Sequence, residues 1–212
     1  MTARGWLALR SMVMWFRRLG GWLSVGAGLS CAVVGGCRKE SPAKVDDISG
    51  QGVAALPNSV VVVARGTTVR ALDAQGNSKW EVPLPDRSAV VAEPSAAPNS
   101  TVYVRTASAL HAVNDEGKLL WTHELPAPDP VLSASARAPL SLADSSVVLL
   151  DSPTSLRAVN VDGSLRWRID TPKANPTKRL VGDPGSRVLV TSESTLFAVG
   201  NQGQVLWTRG LE

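Results

Sequence analysis

The sequence predicts an all-β fold built from about four repeated sheet modules, and three observations carry that expectation. An Ala, a Gly five residues on and a Trp four residues further recur in phase four times: Ala71, Gly76 and Trp80; Ala112, Gly117 and Trp121; Ala158, Gly163 and Trp167; Ala198, Gly203 and Trp207. Successive copies are offset by 41, 46 and 40 residues at all three positions, the period of a repeat architecture. Short β-branched runs bounded by turn formers accompany each copy, which is how strands read. The chain has 212 residues, 44% of them hydrophobic, with seven Trp against one Tyr and two Phe. Every Trp after residue 37 falls on the single repeat phase.

Taken from the N-terminus, residues 1–36 read as an export signal. Leu19 to Gly36 is an uncharged apolar run, with Arg17 and Arg18 before it. Its length just reaches that of a spanning helix, but four glycines in its first ten residues make it a poor one, so a cleaved signal is expected over a retained anchor. A start at Met12 or Met14 would give a more usual signal length. Arg4, Arg10, Arg17 and Arg18 precede Cys37 without an acid, which leaves 18 Lys and Arg against 18 Asp and Glu in the remainder. That neutral body has no electrostatic footprint for nucleic acid, and no nucleic-acid partner is expected.

Val34-Gly35-Gly36-Cys37 resembles the bacterial lipobox: an aliphatic residue, two small residues that fit a peptidase cleft, and a Cys whose thiol takes a diacylglycerol. The resemblance implies a bacterial envelope protein held to a membrane through lipidated Cys37, and two or more acyl chains hold firmly at roughly 0.8 kcal/mol per buried methylene. Arg38 stands where Asp often marks inner-membrane retention, so the expected place is the outer membrane, facing the periplasm. Processing there would leave no other Cys, hence no disulfide, thiol nucleophile or Cys-based metal site. Residues 37–56 are polar, contain Pro42, Gly50 and Gly52, and read as a tether with room for one short strand.

Residues 57–212 hold the repeats. Val60 to Val63, Val102 to Val104, Val147 to Leu150 and Val188 to Val190 are expected strands. A second strand follows each, at Val69 to Leu72, Leu110 to Val113, Leu156 to Val159 and Leu196 to Val199. Both faces of that second strand are apolar, so each must be covered on both sides, as in small sheets stacked between neighbours. The turns Asp73 to Gly76, Asn114 to Gly117 and Asn160 to Gly163 begin with Asp or Asn and end with Gly, the preference of a type I turn rejoining its ladder through a Gly bulge. Gly200 replaces the polar residue in the fourth copy, whose turn is expected to be looser. Ala89 to Ala92 and Val131 to Ala134 are the candidate further strands in the Pro- and Ser-rich connections.

The pattern Ala-x-[Asp/Asn]-x-x-Gly-x-x-x-Trp resembles the blades of quinoprotein-type (PQQ-like) β-propellers, and it covers residues 59 to about 211. The resemblance implies a small or partial propeller of about four blades in which Trp80, Trp121, Trp167 and Trp207 dock between adjacent blades, over the turn glycines and the motif alanines. Two departures stand out. The Thr usual before the Gly in quinoprotein dehydrogenases is replaced by Gln75, Glu116, Asp162 and Gln202, and those enzymes have about eight blades. Three arrangements remain open: a closed four-bladed ring, part of a longer chain, or a homodimer completing an eight-bladed ring.

No catalytic residue, metal site or cofactor is expected. His111 and His123 do not share a spacing with paired carboxylates, Asp162 and Asp170 form no calcium loop, and no nucleophile elbow or phosphate loop is present. The expected function is a non-catalytic envelope scaffold for other envelope proteins, a reading that resembles the lipoprotein subunit of the outer-membrane β-barrel assembly machine. The alternatives are a relative or fragment of a quinoprotein dehydrogenase, for which a lone lipidated Cys supplies no vicinal disulfide, and a small-ligand sensor.

Overall fold

A computed structural model describes residues 52–126, 137–171, 179–183, 187–192 and 194–211. The expected signal, Cys37, nearly all of the tether and the candidate strand Val131 to Ala134 lie outside the described residues. The described chain is all-β: four antiparallel four-stranded sheets, each formed by consecutive strands in simple up-and-down order, consistent with a partial β-propeller. Blade one comprises β1 (Val53–Ala55), β2 (Val61–Arg65), β3 (Thr68–Leu72) and β4 (Ser78–Pro83). Blade two comprises β5 (Ser95–Ala96), β6 (Val102–Arg105), β7 (Ala109–Val113) and β8 (Leu119–Glu124). Blade three comprises β9 (Leu140–Ser141), β10 (Val147–Ser152), β11 (Ser155–Val159) and β12 (Leu165–Asp170). Blade four comprises β13 (Arg179–Gly182), β14 (Val188–Thr191), β15 (Thr195–Val199) and β16 (Val205–Gly210).

Strand β1 lies inside the segment 37–56, where the tether reading left room for it. The strand expected at Ala89 to Ala92 is corrected: only an isolated bridge joins Val90 to Thr106, and the first strand of blade two is the two-residue β5 further on. The first strands of successive blades, β1, β5, β9 and β13, lie against one another and form the inner edge of the array. The last strands form the exposed rim, and every residue of β16 is exposed.

Alternation along the two middle strands of each blade makes the core. Val62, Ala64, Val69 and Ala71 on one face of blade one pack against Val102 and Val104 of blade two. Tyr103, Leu110 and Ala112 on the opposite face of blade two meet Val147, Leu149 and Val159 of blade three. Val148, Leu150, Leu156 and Ala158 then meet Val188, Val190, Phe197 and Val199 of blade four. Blades two and three are therefore apolar on both faces because each has a neighbour on both, and burial at roughly 25 cal/mol per Å² of apolar surface belongs to pairs of blades rather than to any one.

The motif turns have the predicted chemistry. The Gly76 amide donates to the Asp73 carbonyl at 3.0 Å, Gly76 has φ +83°, and the ladder shifts register between Ala71 and Leu72 as a Gly bulge requires. The Asp73 side chain accepts from the amides of Gln75 and Asn77. In blade four the Gly200 turn keeps the same backbone bond, from the Gly203 amide at 3.0 Å, and Gln204 Oε1 accepts from the Gln202 amide in place of the missing Asx oxygen. That turn is not opened by the loss of Asp or Asn. A second recurring turn joins the first two strands of blades one to three, with Ser59, Ser100 and Ser145 at φ near +60°. In each of the three turns the serine amide donates to the carbonyl of a buried residue, Leu56, Ala97 or Leu142.

Candidate functional site

Three places gather the residues with chemical potential. The first is the set of Trp sockets. Trp80 Nε1–H donates to the Asp115 carbonyl at 2.8 Å, Trp121 Nε1–H to the Val161 carbonyl at 2.6 Å, and Trp167 Nε1–H to the Asn201 carbonyl at 3.1 Å. Each acceptor is the second residue of the motif turn in the next blade, so every bond crosses between blades. The indole then lies over the turn glycine: a Cβ on Gly117, Gly163 or Gly203 would stand 2.7, 2.8 or 2.9 Å from the ring of Trp80, Trp121 or Trp167. Only Gly fits, because the turn needs a positive φ and the ring occupies the side-chain space. The motif alanines Ala71, Ala112, Ala158 and Ala198 pair across the ladder with Trp80, Trp121, Trp167 and Trp207 and are all buried. Among the described residues Trp207 faces no further blade and is 39% exposed, and nothing lies within 4 Å of a Cβ on Gly76. Trp80, Trp121 and Trp167 are thus packing hardware, each ring facing the neighbouring blade.

The second place is a cavity of about 510 Å³ where the four inner strands end. The recurring serine turns ring it, with Leu56, Pro57, Ala97, Pro98 and Leu142 in its wall. Asp183 is the ionisable residue in the lining, and it holds Arg187, whose backbone amide and guanidinium both donate to it. Beside this end of the array the Tyr103 hydroxyl donates to the Ser145 carbonyl, and burial, aided by nearby Asp144, pushes its pKa up to about 12.

The third is a charged cluster between blades two and three. Asp151 accepts from Arg157 Nε at 2.9 Å and from Arg168 Nε. Burial alone would raise the Asp151 pKa, but the two guanidinium bonds outweigh it and hold the carboxyl below its usual range. Arg157 also lies 3.1 Å from His123 Nε2, and His123 Nδ1 is 2.9 Å from the Gly163 carbonyl, so His123 is an interblade residue. Arg105 is buried on β6 with Nε and Nη1 unpartnered; burial lowers its pKa and the charge of Asp151 works against that. A buried cation at a position that is Ala64, Leu150 or Thr191 in the other blades carries no sequence signal; only its neighbour on the next blade explains it.

His111 is fully buried between blades one and two. Its Nε2 lies 3.3 Å from Asp86 Oδ1, within ion-pair reach yet not aligned as a hydrogen bond, and its Nδ1 is 3.1 Å from Thr122 Oγ1. Asp86 is engaged by Thr106 Oγ1 at 2.6 Å and Ser108 Oγ at 2.8 Å. Burial lowers the His111 pKa against the pull of Asp86, so the imidazole is neutral near pH 7. Neither His111 nor Thr122 lines the axial cavity, and no cluster of three or more metal-ligating side chains occurs among the described residues.

Repeated four-stranded blades, bonded indole to turn, define a protein of the PQQ-like repeat class. The chain belongs to the family described as outer membrane protein assembly factor BamB, whose model matches residues 25–210. No curated protein matches the sequence. Among solved structures, BamB from Moraxella catarrhalis is similar at 18% identity and a TM-score of 0.56, over 76% of this chain and 53% of that one. A streptogramin B lyase is similar at 15% identity and 0.62, over 81% and 57%. A protein of unknown function from Bacteroides caccae is similar at 13% identity and 0.54, over 74% and 59%. The chain thus spans little more than half the length of these structures, and at such identities the likeness is one of fold.

Proposed function

We propose that the protein is a non-catalytic bacterial envelope lipoprotein, anchored through lipidated Cys37 to the outer membrane, whose blades serve as a scaffold in the assembly of outer-membrane proteins. The observation that carries this reading is the family match along residues 25–210, joined to sockets in which Trp80, Trp121 and Trp167 are spent on holding blades together. A rigid stack of small sheets with loops at both ends is suited to presenting surfaces to partners. The axial cavity is walled largely by Leu, Ala and Pro, with Ser141, Gly182 and Asp183 completing its lining.

The test is deletion of the gene in its own bacterium, with the level of folded β-barrel proteins in the outer membrane as the readout. Depletion restored by the wild-type chain, and not by Cys37→Ala, is expected; palmitate labelling of the wild type and not of the variant checks the anchor. Unchanged barrel levels on deletion overturn the assembly role, and labelling that persists in Cys37→Ala overturns the anchor.

A further inference from the structure

The joint between blades two and three sets arginine against arginine at a place where the other joints are apolar or neutral. By the repeat register, Arg105 on β6 takes the position that Leu150 has between blades three and four, and Arg157 on β11 takes that of Phe197, which shares one apolar cluster with Leu150. Between blades one and two the same two positions hold Ala64 and the neutral His111. Arg105 is 6% exposed, and its Nε and Nη1 are buried without a hydrogen-bond partner. The nearby carboxylate is already engaged: Asp151 Oδ1 accepts from Arg157 Nε at 2.9 Å and Oδ2 accepts from Arg168 Nε. His123 adds no charge. A guanidinium only donates, so His123 Nε2 accepts from Arg157 Nη1 at 3.1 Å, and Nδ1–H donates to the Gly163 carbonyl at 2.9 Å, which is the neutral tautomer.

Among the described residues the joint thus holds the guanidiniums of Arg105, Arg157 and Arg168 against the carboxylates of Asp151 and, at its exposed margin, Asp170, whose charge acts on Arg168. One positive charge is left over, and Arg105 is the arginine whose buried N–H groups have no acceptor. A buried cation without a counter-charge is strongly disfavoured, and an unpartnered buried donor marks the place of an ion or a water that completes it. We propose that the joint between blades two and three binds a small monovalent anion of the halide class, held by the buried N–H groups of Arg105. A single negative charge is what the count leaves unmet. A water would supply no charge, and would bring two more donors to a place already rich in them. A polyatomic anion would carry further oxygens that need donors of their own, whereas a monatomic ion suits a side chain so little exposed. The bound ion would couple blades two and three, a property independent of the envelope role.

Thermal melting of the full-length protein in mild detergent, with sodium chloride exchanged for sodium methanesulfonate at fixed ionic strength, provides the test. The melting midpoint should rise with chloride and saturate, as expected of a ligand that binds the folded state alone. Arg105→Gln should abolish that rise, while Arg65→Gln, which removes the same charge from an exposed position, should keep it. Crystals of the wild type soaked in bromide give a second reading that needs no variant to fold: an anomalous peak is expected within hydrogen-bond distance of Arg105 Nε or Nη1. A wild-type midpoint indifferent to chloride, a chloride dependence that survives in folded Arg105→Gln, or bromide found on the surface and absent from Arg105, an adventitious ion only, overturns the proposal.

Discussion

Substituting Gly163 by Ala separates the two reasons for a glycine in the motif turn. The backbone there has φ +86°, and an Ala in left-handed geometry costs roughly 1–2 kcal/mol. The added methyl would also stand 2.8 Å from Cδ2 and Cγ of Trp121, so the indole must move. Overpacking of that kind costs about 1–3 kcal/mol. Displacing the ring also stretches its bond to the Val161 carbonyl, worth about 0.5–1.5 kcal/mol. The sum is about 2.5–6.5 kcal/mol, against about 1–2 kcal/mol for Gly66→Ala, where only the backbone cost applies. Urea unfolding followed by Trp fluorescence measures both. Because neighbouring blades share their stability, Gly163→Ala should also split the transition, uncoupling blades one and two from three and four. Equal losses in the two variants, or a single unsplit transition for both, would refute the idea that the ring over the turn couples the blades.

Two further predictions concern titratable groups. Tyr103 is the chain's only Tyr, so the tyrosinate absorbance band reports it alone; its midpoint should lie at about 12, and Tyr103→Phe should remove the band and cost about 1 kcal/mol at pH 7 for the lost bond to Ser145. The raised value means that the unfolded chain ionises first, so stability falls as pH rises from 10.0 to about 12, and this alkaline loss should shrink in the variant. Asp151 has a depressed folded pKa, so its contribution is complete above pH 3.8 and fades as pH falls through the depressed value; Asp151→Asn should cost about 3 kcal/mol at pH 7 and flatten that acid slope in melting curves.

The parts of the fold that a sequence exposes are those that repetition enforces. Ala71, Gly76, Trp80 and their copies recur because each must satisfy the same socket, and a constraint repeated four times is visible without coordinates. The inner strands are not visible in this way. Ser95–Ala96 and Leu140–Ser141 are two residues each, too short for any alternation, whereas the more apolar Ala89 to Ala92 looks like a strand and makes only one bridge. The serine turns could have been found from Pro57-Asn58-Ser59 and its copy Pro98-Asn99-Ser100, a repeat within the connections. Arg105 sits where other blades carry Ala64, Leu150 or Thr191, and His111 where they carry Arg70, Arg157 or Phe197; the charges that face them, Asp151 and Asp86, are partners far along the chain that local pattern does not reveal.

Hydrogen exchange at the indole N–H groups, each resonance assigned by a single Trp→Phe substitution and followed over a range of protein concentration, tests the central claim most directly. Trp80, Trp121 and Trp167 should be protected at every concentration because their acceptors belong to the same chain, and Trp207, 39% exposed, should exchange faster than all three. Exchange at Trp80, Trp121 and Trp167 as fast as in the unfolded chain would contradict the account, because blades joined through their indoles cannot leave those protons open to water.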